Sequence, residues 1–260
     1  MGCEIKERRP DDEKIQVFAQ RLRCYLPPPL PPPSLKGKTV ENDTDEYNAN
    51  VINSSNEHFV SGGKRRAAVL VCLFEGTGGD LRVILTKRSM NLSSHPGEVA
   101  LPGGKKEEGD ADDSATALRE AMEEIGLHPA LIHVVANLEP FISQHQLIVV
   151  PVVGLLPRIG DFKPSLNPDE VDAIFDAPLE MFLKEDRHRF EEREWGHWRY
   201  TSHIFDFETE EGDSFLIAGL TASILIRTAS RIYQRSPAFS DQRLPDFQRL
   251  QKTLDSVVVS

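Results

Sequence analysis

Two stretches of this chain leave little freedom in the fold. Residues 67–74 (AAVLVCLF) and 147–156 (LIVVPVVGLL) are near-continuous apolar runs of strand length. A strand with no polar face has no side to offer water, so it is buried within a sheet. Neither run approaches the roughly 18 apolar residues needed to cross a bilayer, so no transmembrane segment is expected. Residues 76–80 (GTGGD) form a turn into a second strand at 81–86, which predicts a hairpin. Further strands are expected at 133–138 and 202–207, and 171–175 reads as a strand or a short helix. Residues 178–183 read as a short helical turn and 90–104 as a loop. One helix is predicted at 114–125, with Ala115, Leu118, Ala121, Met122 and Ile125 on its apolar face. Asp112, Asp113 or Ser114 can cap its start, and Gly126 stops it. A longer helix is predicted at 215–234, with Leu216, Leu220, Ile224, Thr228 and Ile232 along its seam. Strands mixed with two helices, not in strict alternation, place the chain in the α/β class as an α+β sandwich.

The folded domain is expected at residues 65–235. Residues 1–60 read as an N-terminal extension and 236–260 as a tail. Within the extension, residues 27–33 (PPPLPPP) favour a stiff polyproline II spacer, with docking of a proline-recognising partner as the sharper alternative. A short amphipathic helix is expected at 13–25. The start Met1-Gly2-Cys3 invites acylation of Gly2 and Cys3, although Lys6 stands where Ser or Thr belongs. Three cysteines without CxxC spacing argue against a disulfide framework or zinc site and for an intracellular, reducing compartment. Glu4, Glu7, Asp11, Asp12 and Glu13 do not suit a transit peptide. The cytoplasm is therefore expected, with mitochondrion and plastid left open.

A formal net charge of −11 argues against a nucleic-acid binder, which needs a cationic face. Nearly half of it is local: residues 104–127 carry eight acids and three bases. Within the predicted helix, Glu120, Glu123 and Glu124 fall on one face at i, i+3 and i+4. Like charges at this spacing destabilise a helix. Taken alone, the pattern reads as a solvated acidic face. The less favoured alternative, taken alone, is a site for hard divalent cations, which take carboxylate oxygens.

Context favours the second reading. From Gly104 through Asp110 to Arg119-Glu120-Ala121-Met122-Glu123-Glu124-Ile125-Gly126-Leu127, the chain resembles the Nudix box, Gx5Ex7REUxEExGU with U a bulky aliphatic. Asp110 stands where the first Glu is expected, eight residues instead of seven precede Arg119, and Ala121 fills the first U position. Ahead of it, Ile84-Leu85-Thr86-Lys87-Arg88-Ser89, Gly97 and Leu101-Pro102-Gly103-Gly104 resemble the motif LLTxRSx3Rx3Gx3FPGG of the coenzyme A diphosphatase branch. Ile84, Ser93 and Leu101 replace its Leu, Arg and Phe. Residues 93–104 look most like plant members of that branch.

The resemblance implies a Nudix fold, a mixed β-sheet between helices, and hydrolysis of a diphosphate bridge by water with Mg²⁺ or Mn²⁺. Coenzyme A would yield 3′,5′-ADP and 4′-phosphopantetheine. Another nucleoside diphosphate derivative, such as ADP-ribose, and a non-catalytic nucleotide-binding module are the alternatives. It also implies Glu120 and Glu124 as main metal ligands, with Glu123 as a third ligand or water-orienting carboxylate. The Gly104 carbonyl completes that set, and Arg119 holds a glutamate in place. Arg88, Lys87, Ser89, Gly97 and Gly103 would bind substrate. Glu170 is a candidate general base from outside the box. His95 and His145 stay unassigned between substrate contact and structure. Trp195, Trp198 and Tyr200 read as an adenine stack or as anchors for packing or a homodimer. Cys72 reads as core.

Overall fold

The computed structural model describes residues 66–143, 147–195 and 198–239, with Val17 and Gln20. The proline-rich segment, the Gly2–Cys3 start and His145 lie outside the described residues, as do the side chains of Trp195, Trp198 and Tyr200. Of the predicted 13–25 helix, only Val17 and Gln20 are described, both helical.

The two apolar runs are the central strands. β1 (Arg66–Glu75) and β7 (Ile148–Leu155) pair in parallel, from Arg66 opposite Ile148 to Leu73 opposite Leu155. Around them, β2 (Leu81–Arg88), β3 (Val99–Ala100), β4 (Gly103–Lys105), β5 (His133–Asn137), β6 (Phe141–Ile142) and β8 (Val171–Pro178) complete an eight-stranded mixed sheet. β1 and β2 form the predicted hairpin.

Side-chain alternation along β1 feeds two cores. Ala68, Leu70 and Cys72 pack with Ala117, Ala121 and Ile125 of helix α1 (Asp113–Ile125). Val71 and Leu73 pack on the opposite face with Ile224, Leu225 and Ile232 of helix α2 (Gly219–Tyr233). Cys72 is fully buried, which lifts its thiol pKa far above the usual range. Beside α2 lies a second, three-stranded sheet of β9 (His188–Trp195), β10 (Trp198–Glu208) and β11 (Ser214–Ala218). This is the expected sheet between helices, with a small sheet added.

Four local expectations are corrected. The 90–104 loop contains β3 and β4, because Gly103 and Gly104 pair with Val69 and Ala68 through backbone alone, and residues without side chains carry no strand signal. The predicted 215–234 helix starts late. Residues 214–218 pair with β10 as a strand, Phe215 stacks on Phe175 at 3.8 Å, and Gly219 at φ +61° turns the chain into α2. β9 was not expected: it is an exposed edge strand, and edge strands carry charges in place of an apolar alternation. On α1, Met122 is exposed and Glu124 takes the buried position instead.

On the small sheet, His188 Nε2 lies 2.9 Å from His203 Nδ1, with Phe239 stacked on His188 at 3.7 Å. Burial, and then the neighbouring His203, lower the His188 pKa to about 4. The folded chain thus binds fewer protons here than the unfolded chain between about pH 4 and 6.5. The stability this site contributes is present above about pH 6.5 and is lost as pH falls towards 4. Between pH 7 and 5 the parent should lose about 1–2 kcal/mol more than His188→Phe. Chemical denaturation at the two pH values checks this, and equal losses would exclude it.

Candidate active site

Helix α1 begins where Asp112 Oδ1 accepts the Ala115 N–H at 2.8 Å, one of the three predicted caps. It ends at Gly126, φ +71°, where the Gly126 and Leu127 N–H groups return to the Met122 and Ala121 carbonyls. Ala117 and Ala121, both fully buried, let the helix lie close on β1. That approach brings the acidic face against the glycines of β4.

Glu124 is only 5% exposed and accepts the Gly103 N–H at 3.1 Å. Its pKa is pushed up to about 8, first by burial and then by Glu120 and Glu170, against the lowering pull of the Gly103 N–H and Arg88. Glu120 is also raised, by burial foremost, with Glu123 and Glu170 adding to it. A Cβ on Gly104 would stand 2.5 Å from the Glu120 carboxylate, so a side chain there would push that carboxylate from its present place. Gly103 is the more constrained: its φ is +154° and a Cβ would stand 2.4 Å from the Ala68 carbonyl oxygen, which cannot swing aside.

Arg119 organises the rest. Its Nε and Nη2 each donate at 3.0 Å to the two oxygens of Asp110, a two-bond fork on a carboxylate whose side chain is 6% exposed. The same guanidinium reaches Glu123 Oε2 at 3.0 Å, Glu120 Oε1 at 3.1 Å and the Lys105 carbonyl at 3.0 Å. Asp110 is held far below the usual carboxylate range by these bonds and by the Glu107 N–H. The expected residues therefore divide. Glu120 and Glu124 face inward, whereas Glu123, with a side chain 53% exposed, points to Arg119 and solvent.

Ser89, Gly97 and Arg88 belong to one knot. The Gly97 N–H donates to the Arg88 carbonyl, the Ser89 N–H donates to the Glu170 carbonyl at 2.9 Å, and Ser89 is fully buried. Gly97 sits at φ +71°, with Met90 sulfur where a Cβ would go. Arg88 offsets the charge of Glu124, and its buried Nε has no hydrogen-bond partner among the described residues. Lys87 alternates with Arg88 on β2, and so takes the opposite face, with Val83 and Leu85. His95 is exposed and bound to Glu98 at 2.9 Å.

A sequence model of the NUDIX domain matches residues 64–199. The chain belongs to the Nudix family. It is 61% identical over 178 residues to Arabidopsis thaliana "Nudix hydrolase 15, mitochondrial", spanning 68% of this chain and 62% of that protein. Over 232 residues it is 50% identical to "Nudix hydrolase 22, chloroplastic" of the same plant, covering 88% of this chain and 76% of that one. The mouse "Peroxisomal coenzyme A diphosphatase NUDT7" is 35% identical over 217 residues, 83% of this chain and 87% of that protein. Among solved structures, a C. elegans Ap4A hydrolase complex aligns with a TM-score of 0.37 and 21% identity over 44% of this chain and 80% of that one, a distant likeness. Nudix hydrolases act on nucleoside diphosphate derivatives and generally use divalent metal ions.

The residues fit such an ion. Two inward-facing carboxylates stay raised by burial and by neighbouring carboxylates, even with Arg119 on Glu120 and Arg88 near Glu124. Among the described residues no three His, Cys, Asp or Glu side chains form a ready shell. Mg²⁺ is commonly held by one or two carboxylates, with water and substrate phosphates completing the octahedron.

Proposed function

We propose that this chain is a Mg²⁺- or Mn²⁺-dependent coenzyme A diphosphatase that cleaves coenzyme A, and short acyl forms of it, to 3′,5′-ADP and 4′-phosphopantetheine. One observation carries the reading: the LTKRS strand end is joined to the box, with Arg88 acting on Glu124 and Ser89 bonded to Glu170. The likeness to the mouse coenzyme A diphosphatase supports the substrate.

In this reading Glu120 and Glu124 would hold the ion, with the Gly104 carbonyl beside them. When bound, the ion would neutralise phosphate oxygens and lower the pKa of a water molecule. Arg88 meets the diphosphate, and the Gly103–Gly104 backbone permits close approach. Arg119 keeps Glu120 oriented, and Glu123 is held in reserve at the solvent edge by the same guanidinium. Glu170 accepts the proton of the attacking water. The water oxygen bonds to one phosphorus, the bridging P–O bond breaks, and the other phosphate leaves as the anion. An intracellular compartment is part of this reading, supported by relatives named for the mitochondrion, chloroplast and peroxisome. The relatives' names differ on the compartment, and no described helix is long and apolar enough to cross a membrane.

Purified protein incubated with coenzyme A, ADP-ribose or NADH in Mg²⁺ or Mn²⁺ is expected to yield 3′,5′-ADP from coenzyme A, identified by mass. EDTA should stop the reaction and added metal restore it. Turnover of ADP-ribose without coenzyme A would overturn the substrate. Tight nucleotide binding with no turnover of any of the three would make the protein a binding module.

A further inference from the structure

The end of helix α1 leaves carbonyls with no partner in the helix, as every helix does. Here a segment from outside the box takes them. The Ser165 N–H donates to the Ile125 carbonyl at 3.0 Å, and the Asn167 N–H donates to the Glu124 carbonyl at 2.9 Å. Asn167 then folds the next turn: its side-chain oxygen accepts the Asp169 N–H at 3.2 Å, and its carbonyl accepts the Glu170 and Val171 N–H groups at 3.0 and 2.9 Å. Gly126 makes the docking close, since a Cβ there would stand 2.9 Å from Ser165 Cβ. The far end of the turn is fixed by the Ser89 N–H on the Glu170 carbonyl. Glu170 is thus suspended between the helix that carries Glu120 and Glu124 and the strand end that carries Arg88.

We propose that Asn167 is a positioning residue, whose side-chain bond to the Asp169 N–H sets the Glu170 carboxylate against Glu120 and Glu124. The side chain of Asn is suited to this, because its oxygen can bond the backbone two residues on and close the turn that Pro168 begins. Alanine offers no acceptor, whereas aspartate keeps one. The proposal rests on the reaction assigned above only for its kinetic consequence. The placement of Glu170 stands or falls by itself.

Two measurements on the full chain test it. The first follows the Glu170 side-chain carboxyl carbon by NMR in ¹³C-glutamate-labelled protein, identified by its loss in Glu170→Gln, while Mn²⁺ is added in trace. Mn²⁺ should broaden this signal in the parent and in Asn167→Asp, and leave it sharper in Asn167→Ala. Equal broadening in Asn167→Ala and the parent would overturn the proposal. The second is steady-state kinetics on whichever diphosphate the parent cleaves. Asn167→Ala should lose about 10–100-fold in kcat, as removal of an orienting partner does, with KM within about threefold and the melting temperature nearly unchanged. Asn167→Asp should recover most of that loss, and Asn167→Ala should cost nothing more in a Glu170→Gln background. Losses that add in the double variant, or that aspartate fails to recover, would overturn it. If the parent cleaves nothing while the broadening pattern holds, the reaction is wrong and the positioning role stands.

Discussion

Glu124→Gln is expected to abolish turnover while leaving the protein as stable as its parent, or more so. The side chain is 5% exposed and receives a backbone N–H from Gly103, a bond that the glutamine oxygen can also accept. The substitution keeps shape and hydrogen bond and removes only the charge. Burial and two neighbouring carboxylates oppose that charge in the metal-free protein, so its loss relieves the fold. Function has the opposite interest, because an amide is a poor ligand for a hard divalent ion. The fall in kcat should exceed the roughly 10²–10⁴-fold attached to a single acid–base group. Turnover measured beside thermal unfolding in EDTA separates the two effects. A rate near the parent's would remove Glu124 from the site, and a large loss of stability would mean that its charge holds the fold.

Arg119→Ala should fail in the other way, losing stability and activity together. Without the guanidinium, Asp110 keeps the Glu107 N–H but loses a two-bond partner while almost fully buried, and Glu120 and Glu123 lose the cation between them. Breaking an enclosed ion pair from one side costs about 3–5 kcal/mol, and about 2–4 is expected here because Arg119 is partly exposed. For a domain of this size that is a drop of roughly 5–15 °C in melting temperature. Arg119→Lys should recover only part, since one ammonium cannot reproduce the fork on Asp110. In a double variant with Asp110→Asn the losses should be well short of additive. Melting curves of the four proteins decide this, and full additivity would dissolve the pairing.

The carboxylate face was legible because helix periodicity and charge repulsion are local rules, and both act within one turn of REAMEEIGL. The central strands were legible because an apolar run has one fate. What escaped depended on partners distant in sequence. Gly103 and Gly104 join the sheet through backbone atoms, about which a side-chain pattern is silent. The sequence marked Glu170 only as a candidate, since its nearness to Glu120 and Glu124 arises from a turn docked on another element's end. Glu123 was grouped with its neighbours by periodicity, but its side chain is half exposed and bonded to Arg119. Asp110, read as a departure from the expected Glu, is the carboxylate that grips Arg119.

The parallel pairing of β1 with β7 also imposes an order of assembly. Parallel neighbours need a long crossover, and here every residue of the box lies within it. As the chain leaves the ribosome, REAMEEIGL emerges before β7 exists, so the acidic helix has only half of its supporting sheet. Closure waits for residues 148–155, and the docking turn at 165–171 comes later still. A nascent chain stopped short of β7 would carry the full motif and no working pocket, and would expose the apolar edge of β1 to any other unfinished strand.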